Sequence, residues 1–219
     1  MFVKDLISND VPELSLGDEP VNALNLMDEF KVSHLPVLDG TRFVGLVSEE
    51  ELELLGTDPQ DKLIREQDIL DIHVSSEQHV YDVLRLFSEH RLTVVPVVDN
   101  GAYLGSITIT QILDSFAKSQ AVSDPGGVIV LELNAQDYSL QEIAGIVEGN
   151  DAKILSSFLS TSPTSMQVEV TLKINQEDLS GILQTFARYD YQVKASYQES
   201  RYEDDLKNRY DEFMKYLNM

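Results

Sequence analysis

Two hydroxyl residues, Ser48 and Thr108, stand 60 positions apart, and each is followed three residues later by a side chain with an acceptor oxygen, Glu51 and Gln111. At a helix start a Ser or Thr hydroxyl satisfies an orphan backbone N–H, and the helix end favours an anion. The available chemistry is recognition of a polar or phosphorylated small molecule. Plain capping competes with it, because Ser48 with Glu51 also spells a capping box. Gln111 has one acceptor oxygen where a carboxylate has two, and its expected place is the helix surface. Glu49, Glu50, Glu51 and Glu53 crowd the first position. They read as a solvated helix face, since the spaced Asp/Asn/Gly loop of a hard-cation site is absent. His34, His73, His79 and His90 show no recurring ligand spacing. His34 is matched 60 residues on by Val94, so a partly buried structural histidine is expected. There is no cysteine, which removes disulfides, thiolate metal sites and Cys nucleophiles. GxGxxG, GxxxxGK[ST], HExxH and GxSxG are also missing, so no catalytic constellation is in view.

These residues sit inside a repeat. Shifted by 60, Leu14 to Leu54 aligns without a gap and gives 8 identities, among them Pro36/Pro96, Val37/Val97, Asp39/Asp99 and Gly45/Gly105. Each copy begins with helical spacing: Val21, Leu24, Met27 and Phe30, then Val80, Leu84 and Phe87. Short apolar strands follow around a proline, His34–Leu38 and Val94–Val98. Turns at Asp39-Gly40 and Asp99-Asn100-Gly101 lead to second strands, Phe43–Val47 and Tyr103–Ile107. Helices then run through Leu55 and about Ala117.

The grammar changes after Asp124-Pro125-Gly126-Gly127. A strand over Val128–Leu133 precedes a helix opened by Ser139 and Glu142, a capping box. Strands over Lys153–Ser160 and Met166–Ile174, a helix from Asp178 to Arg188 and a strand over Tyr191–Tyr197 complete β-α-β-β-α-β, the ferredoxin-like order. Tyr202, Leu206, Tyr210, Phe213 and Leu217 then predict an amphipathic helix over 199–219, packed on its own protein or on a subunit or partner. The expected divisions are 1–60, 61–120, a linker over 121–127, 128–198 and 199–219. The fold class is α/β (α+β).

The 219 residues are 42 % hydrophobic and 25 % charged, ordinary for a globular chain, and carry a formal charge of −22. Both halves are acidic: 8 basic against 22 acidic residues in 1–120, and 8 against 16 in 121–219. Neither offers the basic footprint that nucleic acid requires, and an anionic membrane surface would repel both. The N-terminus lacks the pattern of a secretory signal and no segment is a membrane span, so a cytoplasmic location is expected.

At the two proline–glycine hairpins, His34–Val37 with Phe43–Ser48 and Val94–Val97 with Tyr103–Thr108, residues 1–118 resemble a tandem pair of CBS domains. Residues 128–198 are similar in topology to an ACT domain, and the combination resembles the acetoin-utilisation B type of bacterial protein. The resemblance implies a non-enzymatic regulator. CBS pairs bind adenosine compounds such as AMP, ATP or S-adenosylmethionine in clefts between repeats and associate as dimers. The implied second cleft comprises Val94, Val95, Pro96, Thr108 and Gln111, and the first His34, Leu35, Pro36, Ser48 and Glu51. The strand ends would offer apolar side chains and backbone to an adenine, and Gly45 and Gly105 would admit close backbone approach. The second cleft is the favoured nucleotide site. Its helix start is uncharged, and His79, His90 and Arg91 lie in the same repeat. The family's ribose-binding Asp is replaced by Glu51 and Gln111, which leaves an interaction scaffold with degenerate sites as the alternative. An enzyme using the acidic cluster with a metal is the remaining, weakest reading. The first loop of the ACT-like part, Asn134–Ser139, has no glycine for an amino-acid ligand, so a structural role is expected there. No cofactor is implied beyond the regulatory nucleotide. A homodimer is expected, and the sequence names no other protein partner.

Overall fold

The computed structural model describes residues 1–55, 64–65, 69–161 and 166–198. The chain divides into two compact units, with the boundary between Ser115 and Phe116. In the first unit the order is β1 (Leu14–Ser15), α1 (Pro20–Phe30), β2 (His34–Asp39), β3 (Arg42–Ser48), α2 (Glu49–Leu55), α3 (Val80–His90), β4 (Val94–Asp99), β5 (Ala102–Thr108) and α4 (from Ile109). The strands lie in the order β1-β2-β3-β5-β4.

The repeat is reproduced at the level of hydrogen bonds. β2 pairs with β3 from His34↔Ser48 to Asp39↔Arg42, and β4 with β5 from Val94↔Thr108 to Asp99↔Ala102. Both hairpins shift register at the same step, Val37/Leu38 and Val97/Val98. α1 and α3 both end on a left-handed residue, Lys31 and Arg91. α1 differs from its expected stripe. Pro20, Ala23 and Met27 are buried, whereas Val21 and Phe30 face outward. The buried arc is the one that packs on the β2–β3 core, with Leu24 and Leu26 partly covered beside it.

Each repeat lends its leading segment to the other. Leu70 pairs with Leu46 in β3 through reciprocal bonds of 2.7 and 2.8 Å, and Ser8 pairs with Ser106 in β5 through bonds of 3.0 and 2.9 Å. The cores cross in the same sense. Leu46 packs with Val80, Val83 and Phe87, and Val94 packs with Met27, Leu35 and Val37. Within the second repeat Asp99 ties the end of β4 to the segment before α3: it accepts from Ser75 Oγ at 2.8 Å, Ser76 Oγ at 2.5 Å and Ser76 N at 3.2 Å. These donors hold its carboxyl below the ordinary aspartate range.

The second unit contains β6 (Gly127–Asn134), α5 (Leu140–Glu148), β7 (Ile154–Thr161), β8 (Gln167–Ile174), α6 (Ser180–Arg188) and β9 (Gln192–Tyr197). The order β7-β8-β6-β9, antiparallel throughout, is the expected ferredoxin-like sheet. One face buries Ile129, Leu131, Val170 and Leu172 against Ile143, Val147, Ile182 and Phe186 of the helices. β6 begins at Gly127, inside the expected linker, and α6 at Ser180, where Asp178 accepts from the Ser180 N–H at 3.0 Å. Gly126, at φ +138°, lies against the Ile174 carbonyl: a Cβ there would stand 2.0 Å from its oxygen. The helix expected over 199–219 lies outside the described residues.

Candidate functional site

Ser48 caps α2 as expected. Its Oγ accepts from the Glu51 N–H at 3.2 Å and lies 3.2 Å from Glu51 Oε2. Next to it is a cavity of about 400 Å³ lined by Ser33, His34, Ser48, Glu49, Glu50, Glu53, His90 and Arg91. His34 Nδ1 is 3.2 Å from Thr93 Oγ1, so the two repeats meet at this pair. Burial lowers the His34 pKa, against an opposing pull from the charge of Glu49, and the ring is neutral at pH 7. His90 and Arg91 therefore line the first site although their sequence belongs to the second repeat, which corrects the expectation that they favour the second cleft.

The second position is built differently. The Thr108 N–H donates to Gln111 Oε1 at 2.8 Å and the Gln111 N–H to Thr108 Oγ1 at 3.2 Å, a complete capping box. Gln111 Nε2 donates to Ser8 Oγ at 2.7 Å and is 3.4 Å from Asp10 Oδ2. Gln111 is thus a bridge between repeats, not the plain helix-surface residue expected. The crossing of the leading segment causes this, by placing Ser8 and Asp10 over the start of α4. Ser8 and Asp10 carry no periodic signal and escape a reading by pattern. The requirement for glycine at Gly105 is the trace they leave.

Leu35, Val94 and Val95 are fully buried in the cores, and Pro36 and Pro96 are buried too. Their side chains are taken up by packing, and Leu35 and Pro36, which the resemblance places in the first cleft, do not line the cavity beside Ser48. Gly45 and Gly105 do admit close backbone, but it is the chain's own. A Cβ on Gly45 would lie 2.7 Å from the Leu70 oxygen, and one on Gly105 2.7 Å from the Ser8 oxygen.

In the second unit a cavity of about 370 Å³ opens at the loop after β6, among Glu132, Asn134, Asp137, Glu142, Tyr189 and Tyr191. Asn134 is tied to Asp137 at 3.0 Å. Tyr191 Oη donates to Glu142 at 2.9 Å, and burial with that bond pushes the phenol up to about 12. Glu142 is thereby drawn away from the cap, where only Ser139 acts, its Oγ accepting from the Glu142 N–H.

Among the described residues no cluster of His, Asp or Glu is arranged to hold a metal, and no helix is long and apolar enough to cross a membrane. Inosine-5'-monophosphate dehydrogenase of Methanocaldococcus jannaschii is 24 % identical over 149 residues, which cover 66 % of this chain and 29 % of that protein. The chain spans less than a third of that relative. A CBS domain pair/ACT domain protein from Thermotoga maritima is 25 % identical, with a TM-score of 0.47, over 54 % of this chain and 98 % of its own. A protein named CBSX2, solved in complex with AMP, is 24 % identical with a TM-score of 0.46, over 53 % of this chain and 96 % of its own. The family model of the CBS domain matches twice, over residues 3–53 and 66–118. Those two matches coincide with the two copies that repeat each other hydrogen bond for hydrogen bond. The N-terminal half of this chain, over residues 3–53 and 66–118, is a tandem pair of CBS domains.

Proposed function

We propose that this is a cytoplasmic, non-enzymatic sensor whose CBS pair binds an adenosine compound such as AMP, ATP or S-adenosylmethionine at the second cleft. One observation carries this reading: Gln111, boxed to Thr108 at an uncharged start of α4, meets Ser8 and Asp10 of the other repeat. The α4 start supplies backbone N–H groups and a hydroxyl for a phosphate. Asp10, exposed, supplies the carboxylate that position 111 lacks, with two oxygens to accept a pair of ribose hydroxyls. A ligand held there touches both repeats and so favours one packing of the pair over another. At the first cavity Glu49, Glu50 and Glu53 face the same space. Two like unit charges 4 Å apart repel by about 1 kcal/mol in water and about 4 kcal/mol at an effective dielectric of 20, which disfavours a di- or triphosphate. Arg91 offsets only part of that. The ACT-like unit serves as a structural partner, its loop cavity lined by carboxylates.

Calorimetric titration of AMP and ATP tests this. Thr108→Ala and Asp10→Ala should each weaken binding at least about tenfold, the loss of one hydrogen bond to a charged group. Ser48→Ala should leave it unchanged. Abolition by Ser48→Ala with Thr108→Ala intact would reverse the assignment. No heat with either nucleotide at millimolar concentration would replace the sensor with a scaffold that binds no small molecule.

The sensor is also proposed to act as a homodimer. Val21 and Phe30 on α1 and Ile109 and Leu113 on α4 are large apolar side chains left exposed. Light scattering at micromolar concentration should give twice the 24.6 kDa chain mass. A single-chain mass across that range would rule the dimer out.

A further inference from the structure

The face of the β6–β9 sheet opposite α5 and α6 has an apolar centre with closed margins. Strand register puts Phe158, Thr171, Val130 and Ala195 in one row across all four strands, with Val128 and Tyr197 in the next. Phe158 is 49 % and Tyr197 64 % exposed. One margin is closed by ion pairs that join Lys194 to Glu132 and to Glu169. The other is closed by the segment entering β6: Ser156 Oγ donates to the Gln120 carbonyl at 2.8 Å and Lys173 Nζ to the Gly126 carbonyl at 3.3 Å.

We propose that this face is the docking surface of the chain's own residues 199–219, laid on it as a helix. The chain leaves β9 at Tyr197, whose side chain already stands on the open face, and 21 residues follow Gln198. As a helix they reach about 31 Å, against about 27 Å for the eight-residue strands beneath. Tyr202, Leu206, Tyr210, Phe213 and Leu217 form one stripe, and the charged residues Glu203, Asp204, Lys207, Arg209 and Asp211 fall between them. A tether this short gives the tail a local concentration on the order of millimolar, so at micromolar protein it outcompetes a second copy for the same surface.

The absence of cysteine makes the test clean. Ala195→Cys in the full chain places one thiol in the middle of the apolar row. With the tail intact that thiol should react slowly with an alkylating reagent. Adding Leu206→Glu and Phe213→Glu should raise the rate about tenfold or more by shifting the local opening equilibrium. The same two changes should leave the rate of Gln141→Cys, on exposed α5, where it was. If the glutamates abolish cooperative melting, Leu206→Ala with Phe213→Ala replaces them. An unchanged rate at Ala195→Cys overturns the proposal. So does recovery of slow alkylation when the cysteine-free full chain is mixed in and subunits are allowed to exchange, because the cover then comes from another copy.

Discussion

Gly126→Ala should be among the most damaging small substitutions in the second unit, costing about 3–5 kcal/mol of its stability. Two effects add. At φ +138° an alanine occupies a backbone region nearly confined to glycine. Its Cβ would also stand 2.0 Å from the Ile174 carbonyl oxygen, a rigid part of a central strand that cannot swing aside. For a unit of this size the melting point should fall by about 15 °C or more. Gly145→Ala is the matched control. It lies within α5 and its added methyl would meet nothing within 4 Å, so it should be neutral or stabilise by up to about 1 kcal/mol. Equal melting points for the two variants would contradict the geometry at Gly126.

The two repeat glycines should separate in the same way. Both Gly45→Ala and Gly105→Ala push a methyl into a neighbouring segment. At Gly45 the methyl would sit 2.4 Å from Ile69 Cγ2 and 2.7 Å from the Leu70 oxygen, but the backbone carries no positive φ. Overpacking alone predicts about 1–3 kcal/mol. At Gly105 the methyl would sit 2.6 Å from Ile7 Cγ2, 2.7 Å from the Ser8 oxygen and 2.9 Å from Asn9 Oδ1, and φ is +139°. Strain adds to overlap, for about 3–5 kcal/mol. Urea unfolding of the two variants should show the larger drop in midpoint at Gly105. An equal or reversed order would mean that the Ile7–Asn9 segment yields more easily than its reciprocal bonds to β5 indicate. The same displacement moves Ser8 and Asp10 off Gln111, so Gly105→Ala should also weaken AMP more than Gly45→Ala does.

The hairpins, the helix starts at Ser48 and Thr108 and the β-α-β-β-α-β order are legible in the sequence because each is local. Alternation, a turn residue and a cap fall within a dozen positions and leave a mark wherever they occur. The crossing of the leading segments is not legible. It rests on single bridges, Ser8 to Ser106 and Leu46 to Leu70, and one bridge produces no alternation to read. Everything that depends on it is displaced with it. Gly45 and Gly105 look like openings for a ligand and are filled by chain, Gln111 looks like a surface residue and spans two repeats, and Asp10 shows no pattern at all. His90 and Arg91 belong by number to one copy and line the cavity of the other. Val21 and Phe30 were legible as apolar but not as outward, because a helix of this spacing has two arcs and only its packing partners choose between them.

The exchange of leading segments also sets a timetable for synthesis. Residues around Ser8 leave the ribosome about a hundred residues before their strand partner at Ser106, on the order of 5–20 seconds at ordinary elongation rates. Until then Ile7 lacks the β5 backbone that covers it and β3 lacks β5 at its edge, so the five-stranded sheet cannot close. The pair should become protease-resistant in a single step once β5 is free of the exit tunnel, with no protected half-length nascent chain before it.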